Sequence, residues 1–413
     1  MKKAILGAAA LLFTGVLFAQ NTSNSNQSGT DQRVYVRQAG SLLSSTITQA
    51  NGGGDGEHRA MVLQRGTGNN SIIDQEGTNN QSFVNQGNEF TAPTNALANI
   101  KQGTNNAASE DNKARIDQHG GTGSATNMTQ DGDKNEAYAH QDDTGSTINI
   151  TQNGDENKSA VYQLPYYASL NNLANINQSG ESNSSYATQD GDNNTLSATQ
   201  SGEDNKADQG QLGDGNNASV TQSSEGNKAR QRQVGNGNSA TAVQHGILGP
   251  GENNYVEQNQ TGDSNYAFSD QDGEDGYVRQ DQNGNSNQAS AYQYPAGTDN
   301  KIYQQQGSNN IVSSSQSGSY NLAFTYQDQS NYGTTSQAGM GNHALLVQKS
   351  QGGAGHNASI TQNGTGNMAD VLQLGPGGNF ATDGVICDFP DPKDLLCPTP
   401  LPEITIGDPC PGC

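Results

Sequence analysis

The chain has 413 residues, of which 30% are hydrophobic and 15% charged, and 19 basic against 41 acidic side chains give a formal net charge of −22. Leu, Ile, Val and Phe together make up about 15% of the residues, below the roughly 20% under which a charged chain is expected to stay disordered. This composition argues against a conventional two-layer core and against a large enzyme built around one. The charge excludes nucleic acid as a partner, because phosphate binding needs clustered Lys and Arg. The chain is therefore either a disordered acidic polymer or a repeat fold with a largely polar interior.

The first 19 residues have the pattern of a secretory signal peptide. Two lysines precede an apolar run at residues 4–18, and Ala19 offers a small residue for cleavage. The run is too short for a membrane anchor, and no other stretch is long enough to span a bilayer. We therefore expect residues 1–19 to be removed, residues 20–26 to form a short polar leader, and the mature protein to be exported without a membrane span.

Residues 27–375 repeat an 11-residue unit, Gln-x-Gly-x-x-Asn-x-Ala-x-x-x-Gln. The longest unbroken run of the repeated glutamine is Gln178, Gln189, Gln200, Gln211, Gln222, Gln233 and Gln244. A shorter series at the same step is Gln305, Gln316 and Gln327. Glycine lies two residues after the glutamine at Gly180, Gly191, Gly202, Gly213 and Gly235. Asparagine lies five residues after it at Asn183, Asn194, Asn205, Asn216, Asn227 and Asn238. Chance composition does not keep these positions in phase, so we predict a structural repeat.

Within one unit, small, apolar or amide side chains alternate with other polar side chains, which indicates a β-strand. Asn216, Ala218, Val220 and Gln222 occupy alternate positions and would share one face of an extended chain, while the residues between them are polar. The glycine and the two residues after it supply a turn. We predict an all-β fold, a β-solenoid in which two strand-turn units form one flattened coil of about 22 residues. About fifteen coils stacked at roughly 4.8 Å would make a rod of roughly 70 Å.

Stacking in register explains how such a polar interior is tolerated. Gln lies over Gln and Asn over Asn, so each side-chain amide donates to one neighbouring coil and accepts from the other. An unpaired buried amide costs about 1–3 kcal/mol, and a continuous ladder leaves few unpaired. Longer steps, such as Gln49 to Gln64 and Gln348 to Gln362, are expected to add residues to the arcs at the edge, where they do not break the ladders.

Residues 376–413 differ from the repeats, because they are rich in proline and hold all four cysteines. These cysteines are Cys387, Cys397, Cys410 and Cys413. In an exported chain they most simply form two disulfides, with three possible pairings that the sequence leaves open. The last two have the two-residue gap of a redox or zinc pair, but neither a second pair nor a nearby His accompanies them. A stapled cap or tether is therefore favoured.

The repeat closely resembles that of the curlin family, the secreted subunits of bacterial curli fibres. The family pattern is read at Gln211, Gly213, Asn216, Ala218 and Gln222, and again at Gln233, Gly235, Asn238, Ala240 and Gln244. The resemblance implies a β-solenoid that polymerises end to end into functional amyloid, an extracellular fibre on the bacterial cell surface that serves biofilm matrix, adhesion and surface colonisation. It also implies a curli-type secretion channel and a nucleator as partners. Gatekeeper residues that slow premature assembly in the family are similar to Asp131, Asp133, Asp190 and Asp192.

Two other functions remain open at this point. The chain has many more units than a five-repeat curlin, so a non-polymerising surface rod acting as an adhesin or ice-binding protein is the alternative. Ice binding needs a regular outward array of threonines, and the sequence offers one patchy row: Thr129, Thr151, Thr188, Thr199, Thr221 and Thr361. A solenoid enzyme that cleaves polysaccharides would need larger coils and a cluster of acidic and basic residues. A structural fibre subunit, not an enzyme, is the leading hypothesis.

The sequence assembles no catalytic, cofactor or metal site. The six histidines lie singly, in turns or beside the repeated glutamines: His58, His119, His140, His245, His343 and His356. There is no His-x-x-x-His pair, Ser-His-Asp spacing or phosphate-binding loop. The carboxylates of Asp131, Asp133, Asp142 and Asp143 would bind Ca²⁺ at most weakly along a stacked edge. We expect them instead to supply solvated charge that keeps the rods soluble.

Overall fold

The computed structural model describes residues 20–51, 56–88, 91–103, 109–164, 169–246, 251–295, 297–350 and 354–375. The expected signal peptide at residues 1–19 and the expected tail at residues 376–413 lie outside the described residues. So do the predicted disulfide residues Cys387, Cys397, Cys410 and Cys413. Strand is the only regular secondary structure in the described ranges, which confirms the predicted all-β class. Among these residues no helix has the length and apolarity to cross a membrane.

Thirty strands alternate between two sheets, and every pair of neighbouring strands is parallel. Sheet 1 contains β1 (Thr22–Ser28), β3 (Ser44–Asn51), β5 (Asn70–Gly77), β7 (Leu97–Gln102), β9 (Ala125–Asp131), β11 (Thr147–Asp155), β13 (Leu173–Glu181), β15 (Thr195–Glu203), β17 (Asn217–Glu225), β19 (Ser239–Gln244), β21 (Tyr266–Gln271), β23 (Gln288–Gln293), β25 (Ile311–Ser319), β27 (Tyr332–Met340) and β29 (Asn357–Thr365). Sheet 2 contains β2 (Arg33–Ser41), β4 (Arg59–Thr67), β6 (Gln81–Gln86), β8 (Lys113–Gln118), β10 (Glu136–Gln141), β12 (Lys158–Gln163), β14 (Ser184–Asp190), β16 (Lys206–Leu212), β18 (Lys228–Val234), β20 (Tyr255–Thr261), β22 (Tyr277–Asn283), β24 (Lys301–Ser308), β26 (Leu322–Gln329), β28 (His343–Lys349) and β30 (Met368–Leu374).

Each strand pairs with the strand two further along the chain, so one strand from each sheet makes one coil. Gln222 is aligned with Gln200 on one side and with Gln244 on the other, at intervals of 22 residues. Fifteen such coils follow from the two 15-stranded sheets. The predicted β-solenoid is thereby confirmed.

The inner faces of the two sheets meet in one narrow core. Asn216, Ala218, Val220 and Gln222 are all buried, whereas Thr221 between the last two is exposed. Alanine is frequent at these inward positions, and small side chains allow two sheets to approach closely. Apolar side chains therefore pack between the middle parts of the strands, and side-chain amides lie toward the two ends, where the strands join the arcs.

The arcs between strands rely on two residues with left-handed backbone. In the arc after Gln189, Gly191 has φ 108° and Asn193 has φ 56°. The same two positions after Gln200 are Gly202, with φ 96°, and Asp204, with φ 54°. Glycine accommodates the first conformation, and Gly, Asn, Asp or Ser usually occupies the second, where Leu42, Lys134, Glu156 and Tyr320 are the exceptions with positive φ among the described residues. This requirement explains why the repeat is so rich in Gly, Asn and Asp.

Strand structure begins earlier than we expected. β1 starts at Thr22, so most of the predicted leader at residues 20–26 is itself a strand that pairs with β3. Asn21 precedes Gln27 by the same six residues that separate Asn216 from Gln222, and its Oδ1 accepts the Leu43 N–H at 3.1 Å. The first repeat unit therefore includes Asn21.

Unequal spacing in the sequence does not interrupt the stacking. Gln86 and Gln118 are 32 residues apart, yet Gln86 Nε2 donates to Gln118 Oε1 at 2.9 Å. Gln316 and Gln337 are only 21 residues apart and make the same contact at 2.9 Å. Coil length therefore varies in the connections, while the paired strands stay in register.

Candidate functional site

The predicted glutamines lie in two buried ladders, one in each sheet, and each ladder runs from strand to strand along the solenoid. Sheet 1 holds Gln178, Gln200, Gln222 and Gln244, and sheet 2 holds Gln189, Gln211 and Gln233. Within a ladder, Nε2 of one glutamine donates to Oε1 of the glutamine in the next coil. This distance is 2.8 Å from Gln200 to Gln222 and 2.9 Å from Gln211 to Gln233. Each ladder therefore joins successive coils through side chains as well as through the backbone.

The second N–H of each amide joins the two sheets. Gln222 Nε2 also donates to the carbonyl oxygen of Lys206, the first residue of β16, at 3.0 Å. Gln211 Nε2 makes the equivalent bond to the Thr195 carbonyl oxygen at 2.9 Å. These carbonyls lie where a strand begins, and a buried carbonyl needs a donor. Glutamine is suited to this position because its amide reaches both the next coil and the opposite sheet.

The predicted asparagines form two further ladders beside the arcs. One contains Asn183, Asn205 and Asn227, and the other contains Asn194, Asn216 and Asn238. Asn194 Oδ1 accepts both the backbone N–H of Asn216 at 2.9 Å and its Nδ2 at 3.1 Å. Asn216 Nδ2 also donates to the Gly235 carbonyl oxygen at 2.8 Å. The side chain thus satisfies backbone groups of the arcs that no strand partner reaches.

The glutamine and asparagine ladders have opposite polarity. Glutamine donates toward the C-terminal coil, as Gln200 does to Gln222. Asparagine accepts from the C-terminal side, as Asn194 does from Asn216. Where both residues are present, a coil therefore presents a donor amide and an acceptor carbonyl at fixed positions on each of its two faces.

The predicted turn glycines stack on one another across the coils. Gly180 and Gly202 occupy one column of arcs, and Gly191, Gly213 and Gly235 occupy the other. A Cβ on Gly213 would lie 2.2 Å from the Gly235 carbonyl oxygen. A Cβ on Gly180 would lie 2.3 Å from the Gly202 carbonyl oxygen. No side chain fits at these distances, so the requirement for glycine comes from the coil beneath as well as from the positive φ.

Two of the four aspartates similar to gatekeepers make structural contacts in the arcs. Asp192 Oδ1 accepts the Leu170 N–H at 2.9 Å, and the Asp192 N–H donates to Asp214 Oδ1 at 2.9 Å. Asp133 Oδ1 accepts the Glu110 N–H at 2.9 Å in the same manner. Asp131 and Asp190 are the last residues of β9 and β14. The carboxylates of Asp133 and Asp192 therefore connect successive coils while remaining half-buried.

A third glutamine ladder was missed by the sequence analysis. Gln209, Gln231, Gln258, Gln280 and Gln304 are buried in sheet 2 and donate in turn at 2.8 Å. Each lies two residues before a glutamine of the main ladder, on the same inward face. The signal was present in the sequence as a Gln-x-Gln pair in alternate units, because residues two apart in a strand share one face.

The predicted ladder residue Gln305, in the series Gln305, Gln316 and Gln327, was wrong by one position. Gln306, not Gln305, accepts from Gln282 at 2.9 Å and donates to Gln327 at 3.1 Å. Asn300 lies six residues before Gln306 and is buried in the asparagine position, where it accepts from Asn321. The asparagine sets which of the neighbouring glutamines faces inward, and the 11-residue step alone could not show this.

The outer faces of the two sheets differ in chemistry. Sheet 1 carries small polar side chains in its middle coils, including the threonines Thr129, Thr151, Thr199 and Thr221. Thr188 belongs to β14 in sheet 2, so the predicted row is divided between the two faces. Sheet 2 carries a run of neighbouring rings in edge-on or tilted contact, with centroids 5.3 Å apart for Tyr138 and Tyr162 and 5.6 Å apart for Tyr162 and Tyr186. Charged groups accompany these rings.

The aspartates expected to be solvated include one that is buried. Asp143 is 2% exposed and accepts from Asn172 Nδ2 at 3.2 Å. Burial raises its pKa to about 6, against the lowering effect of hydrogen bonds from Ser146 and Asn172. Asp143 occupies the position two residues after Gln141, where most units have glycine. Its carboxylate therefore serves as a hydrogen-bond acceptor within the arc.

The histidines occupy several environments. His58 is fully buried, and its ring nitrogens lie 3.2 Å from the Ala50 carbonyl oxygen and 3.3 Å from the Asn80 backbone nitrogen. His245 Nε2 lies 2.9 Å from Asp270 Oδ1. His119 and His140, which the sequence analysis treated singly, are brought together by the coil period, with ring centroids 5.2 Å apart.

The two ends of the solenoid are open strand edges within the described ranges. β1 is exposed along its whole length, and β29 and β30 have neighbours on one side only. At the C-terminal end, Gln373 Nε2 donates to the Asn357 carbonyl oxygen at 3.0 Å, and no later glutamine of the described chain follows it. At the N-terminal end, Gln27 donates to Gln49, and no earlier described glutamine donates to Gln27 Oε1. The last donor and the first acceptor are therefore left at opposite ends.

Three segments of the chain match the family model described as the curlin-associated repeat, at residues 59–87, 171–202 and 191–223. These segments cover β4 to β6 and β13 to β17. The matches confirm the resemblance to curlins. No curated protein matches the chain.

Proposed function

The chain carries curlin-associated repeats, and we propose that it is a secreted structural subunit that self-assembles end to end into curli-like functional amyloid fibres. The fibres would lie at the bacterial cell surface and serve in biofilm matrix, adhesion and surface colonisation. Export through a curli-type channel and assembly on a nucleator belong to the same proposal. A stacked, repetitive fold without a catalytic arrangement in the described residues supports a structural role.

The complementarity of the two ends carries this proposal. A second copy placed on the C-terminal coil would set Gln27 over Gln362 and Gln38 over Gln373, in the register that every internal coil uses. Nε2 of Gln373 would then donate to Oε1 of Gln38 in the next copy. In sheet 2, Asn367 Oδ1 would accept the backbone N–H of Gln32, because Gln32 precedes Gln38 by the same six residues that separate Asn367 from Gln373. The glutamine ladders of both sheets would continue across the junction with their polarity preserved.

The strand edges offer the same continuity in the backbone. Thr22 donates its N–H to the Leu43 carbonyl oxygen, toward the second coil. Alternate residues of a parallel strand point in opposite directions, so the N–H groups of Ser23 and Ser25 face the open N-terminal edge. At the other end, Tyr332 donates to the His356 carbonyl oxygen, so by alternation the N–H of Thr361 faces the open C-terminal edge. Open edges of this kind template the pairing of a further strand.

Two proline variants test the proposal, because each blocks one end and leaves the internal ladder intact. Ser25→Pro removes an outward N–H at the N-terminal edge, and Thr361→Pro removes one at the C-terminal edge. Ser25→Ala and Thr361→Ala are the matched controls, since they keep the N–H groups. We expect the mature wild-type chain and both alanine variants to form thioflavin-positive fibres, and each proline variant alone to form none.

Mixing the two proline variants distinguishes end-to-end assembly from other kinds of association. The open C-terminal end of Ser25→Pro fits the open N-terminal end of Thr361→Pro, so the mixture should give dimers and stop there. Analytical ultracentrifugation measures this outcome. Fibres from either proline variant, or a wild-type chain that stays monomeric and never seeds, would contradict the proposal, and the latter would favour a surface rod.

A further inference from the structure

Two histidines and an aspartate converge on the outer face of sheet 2. His119 directly follows β8, while His140 and Asp142 flank Gln141 at the end of β10, one coil away. His140 Nε2 lies 3.1 Å from Asp142 Oδ2, and His119 Nδ1 lies 3.8 Å from Asp142 Oδ1. One nitrogen or oxygen from each residue falls within 4.8 Å of the other two. Three donor atoms at such separations can be bridged by one ion.

We propose that His119, His140 and Asp142 bind a divalent transition-metal cation, with zinc the expected ion. Two imidazoles and one carboxylate are a common zinc-binding set, and water would complete the coordination. The proposal concerns the side of the solenoid and is independent of the assembly of its ends.

Neighbouring side chains orient both imidazoles. Tyr138 donates its hydroxyl proton to Asp117 Oδ2 at 3.0 Å, which leaves the Tyr138 oxygen free to accept from His140 Nδ1 at 3.5 Å. A proton on Nδ1 makes Nε2 the metal-binding nitrogen of His140. Asn85 Nδ2 lies 3.0 Å from His119 Nε2, and a 180° rotation of this amide places its Oδ1 there to accept an Nε2–H, which leaves His119 Nδ1 to bind the metal. Partners that hold the far nitrogen of a ligating histidine are a regular feature of metal sites.

The charge around the cluster also favours a cation. Asp142 Oδ1 is buried and accepts no hydrogen bond among the described residues. Asp117 is 1% exposed, and Arg115 Nε at 2.8 Å offsets only one of the two carboxylates. A cation bound between His140 Nε2 and Asp142 Oδ2 would offset this negative charge.

A second cluster provides a matched comparison. His245 Nε2 lies 2.9 Å from Asp270 Oδ1, and His245 Nδ1 lies 3.7 Å from Asp272 Oδ1, on the outer face of sheet 1. This cluster has the same acidic character and also spans two coils, but it contains one imidazole instead of two. Its affinity for zinc should be far lower, so it serves as the internal control.

The test is a titration of the mature chain with Co²⁺, followed by visible absorption and by competition with Zn²⁺. The four cysteines are reduced and alkylated first, so that thiolates do not contribute. We expect one equivalent of Co²⁺ to bind with the absorption of a site of nitrogen and oxygen ligands. His119→Gln and His140→Gln should each weaken binding at least tenfold, and His245→Gln should leave it unchanged.

Isosteric Asp142→Asn keeps the test valid if a histidine variant fails to fold, as judged by circular dichroism, and it should also weaken binding at least tenfold. Asn85→Ala should weaken binding by a smaller factor through loss of ring orientation. The proposal is overturned if the parent chain binds no Co²⁺, or if the variants of His119, His140 and Asp142 that fold all bind it as tightly as the parent.

Discussion

The amide of Gln222 donates to Gln244 Oε1 at 2.8 Å and, with its other hydrogen, to the Lys206 carbonyl oxygen at 3.0 Å. One side chain thus links two coils of sheet 1 and joins sheet 1 to sheet 2. The interior of the solenoid can be polar because this arrangement recurs from the first coils to the last. Stability therefore depends on groups that a conventional core excludes.

Replacing Gln222 by Leu should destabilise the chain by about 2–4 kcal/mol. The substitution keeps an inward side chain of similar size but removes the acceptor for Gln200 and the donor for Gln244 and Lys206, all of which stay buried. Urea denaturation measures the loss, in a chain that also carries Ser25→Pro and Thr361→Pro so that it stays monomeric. Thr221→Val, at the exposed neighbouring position, is the control and should change stability by less than about 0.5 kcal/mol. Equal effects of the two substitutions would mean that the ladder contributes nothing.

Two glycines of one arc should respond differently to alanine. Gly213 has φ 112° and faces the Gly235 carbonyl oxygen, whereas Gly215 has φ 65° and no atom within 4 Å of an added Cβ. Gly213→Ala should cost about 2–4 kcal/mol, since it meets both backbone strain and a backbone atom of the next coil. Gly215→Ala should cost about 1 kcal/mol, from strain alone. Thermal unfolding of the same end-blocked chain compares them, and a larger loss for Gly215→Ala would contradict the stacking of the arcs.

Asp143 should make stability depend on pH between about 4 and 6. Its pKa is raised from 3.8 to about 6 because burial disfavours the charged form. The stability that the neutral carboxyl contributes is therefore fully present below pH 3.8 and is lost as the pH rises through about 6. Asp143→Asn stays neutral at every pH and should be more stable than the parent at pH 7, by about 1–3 kcal/mol.

The measurement for Asp143 is the difference in unfolding free energy between Asp143→Asn and the parent at a series of pH values. Taking the difference cancels the contributions of the other acidic groups. The gap should be small at pH 3.5 and reach its full size by pH 7. A gap that is independent of pH would show that Asp143 does not titrate in this range.

Gln305 and Gln306 are adjacent in sequence but opposite in role. Gln306→Leu should cost about 2–4 kcal/mol, because it interrupts the ladder between Gln282 and Gln327. Gln305→Leu changes a side chain that points to the other face of β24 and should cost less than about 0.5 kcal/mol. Comparable losses at both positions, measured by urea denaturation, would contradict the register described for this strand.

The regular part of the fold could be predicted from the sequence because side chain and backbone share one period there. From Gln178 to Gln244 the step is constant, so the ladder residues, the strands and the coil length all follow from spacing. At Gln305 the 11-residue step predicts the wrong glutamine by one residue, because Asn300 and not the step sets which glutamine faces inward. Asn21 was likewise assigned to a leader, since its unit lacks a preceding glutamine.

Contacts between coils were harder to predict than the coils themselves. His119 and His140 are 21 residues apart in a stretch of irregular spacing, and only the pairing of β8 with β10 brings them together. The burial of Asp143 depends on Asn172, in a coil that follows a longer connection. Such contacts depend on the length of each arc, which the average repeat does not give.

The mass per unit length of single secreted filaments tests the central claim most directly. Fifteen coils at roughly 4.8 Å and a chain of 43.2 kDa, less the signal peptide, give about 0.6 kDa per Å if the copies are joined end to end with their ladders continuous. Scanning transmission electron microscopy of unstained filaments measures this value, and bundles should give whole-number multiples of it. A single filament with a clearly lower mass per unit length would mean that the copies are joined with gaps, and that the ladders do not continue from one molecule to the next.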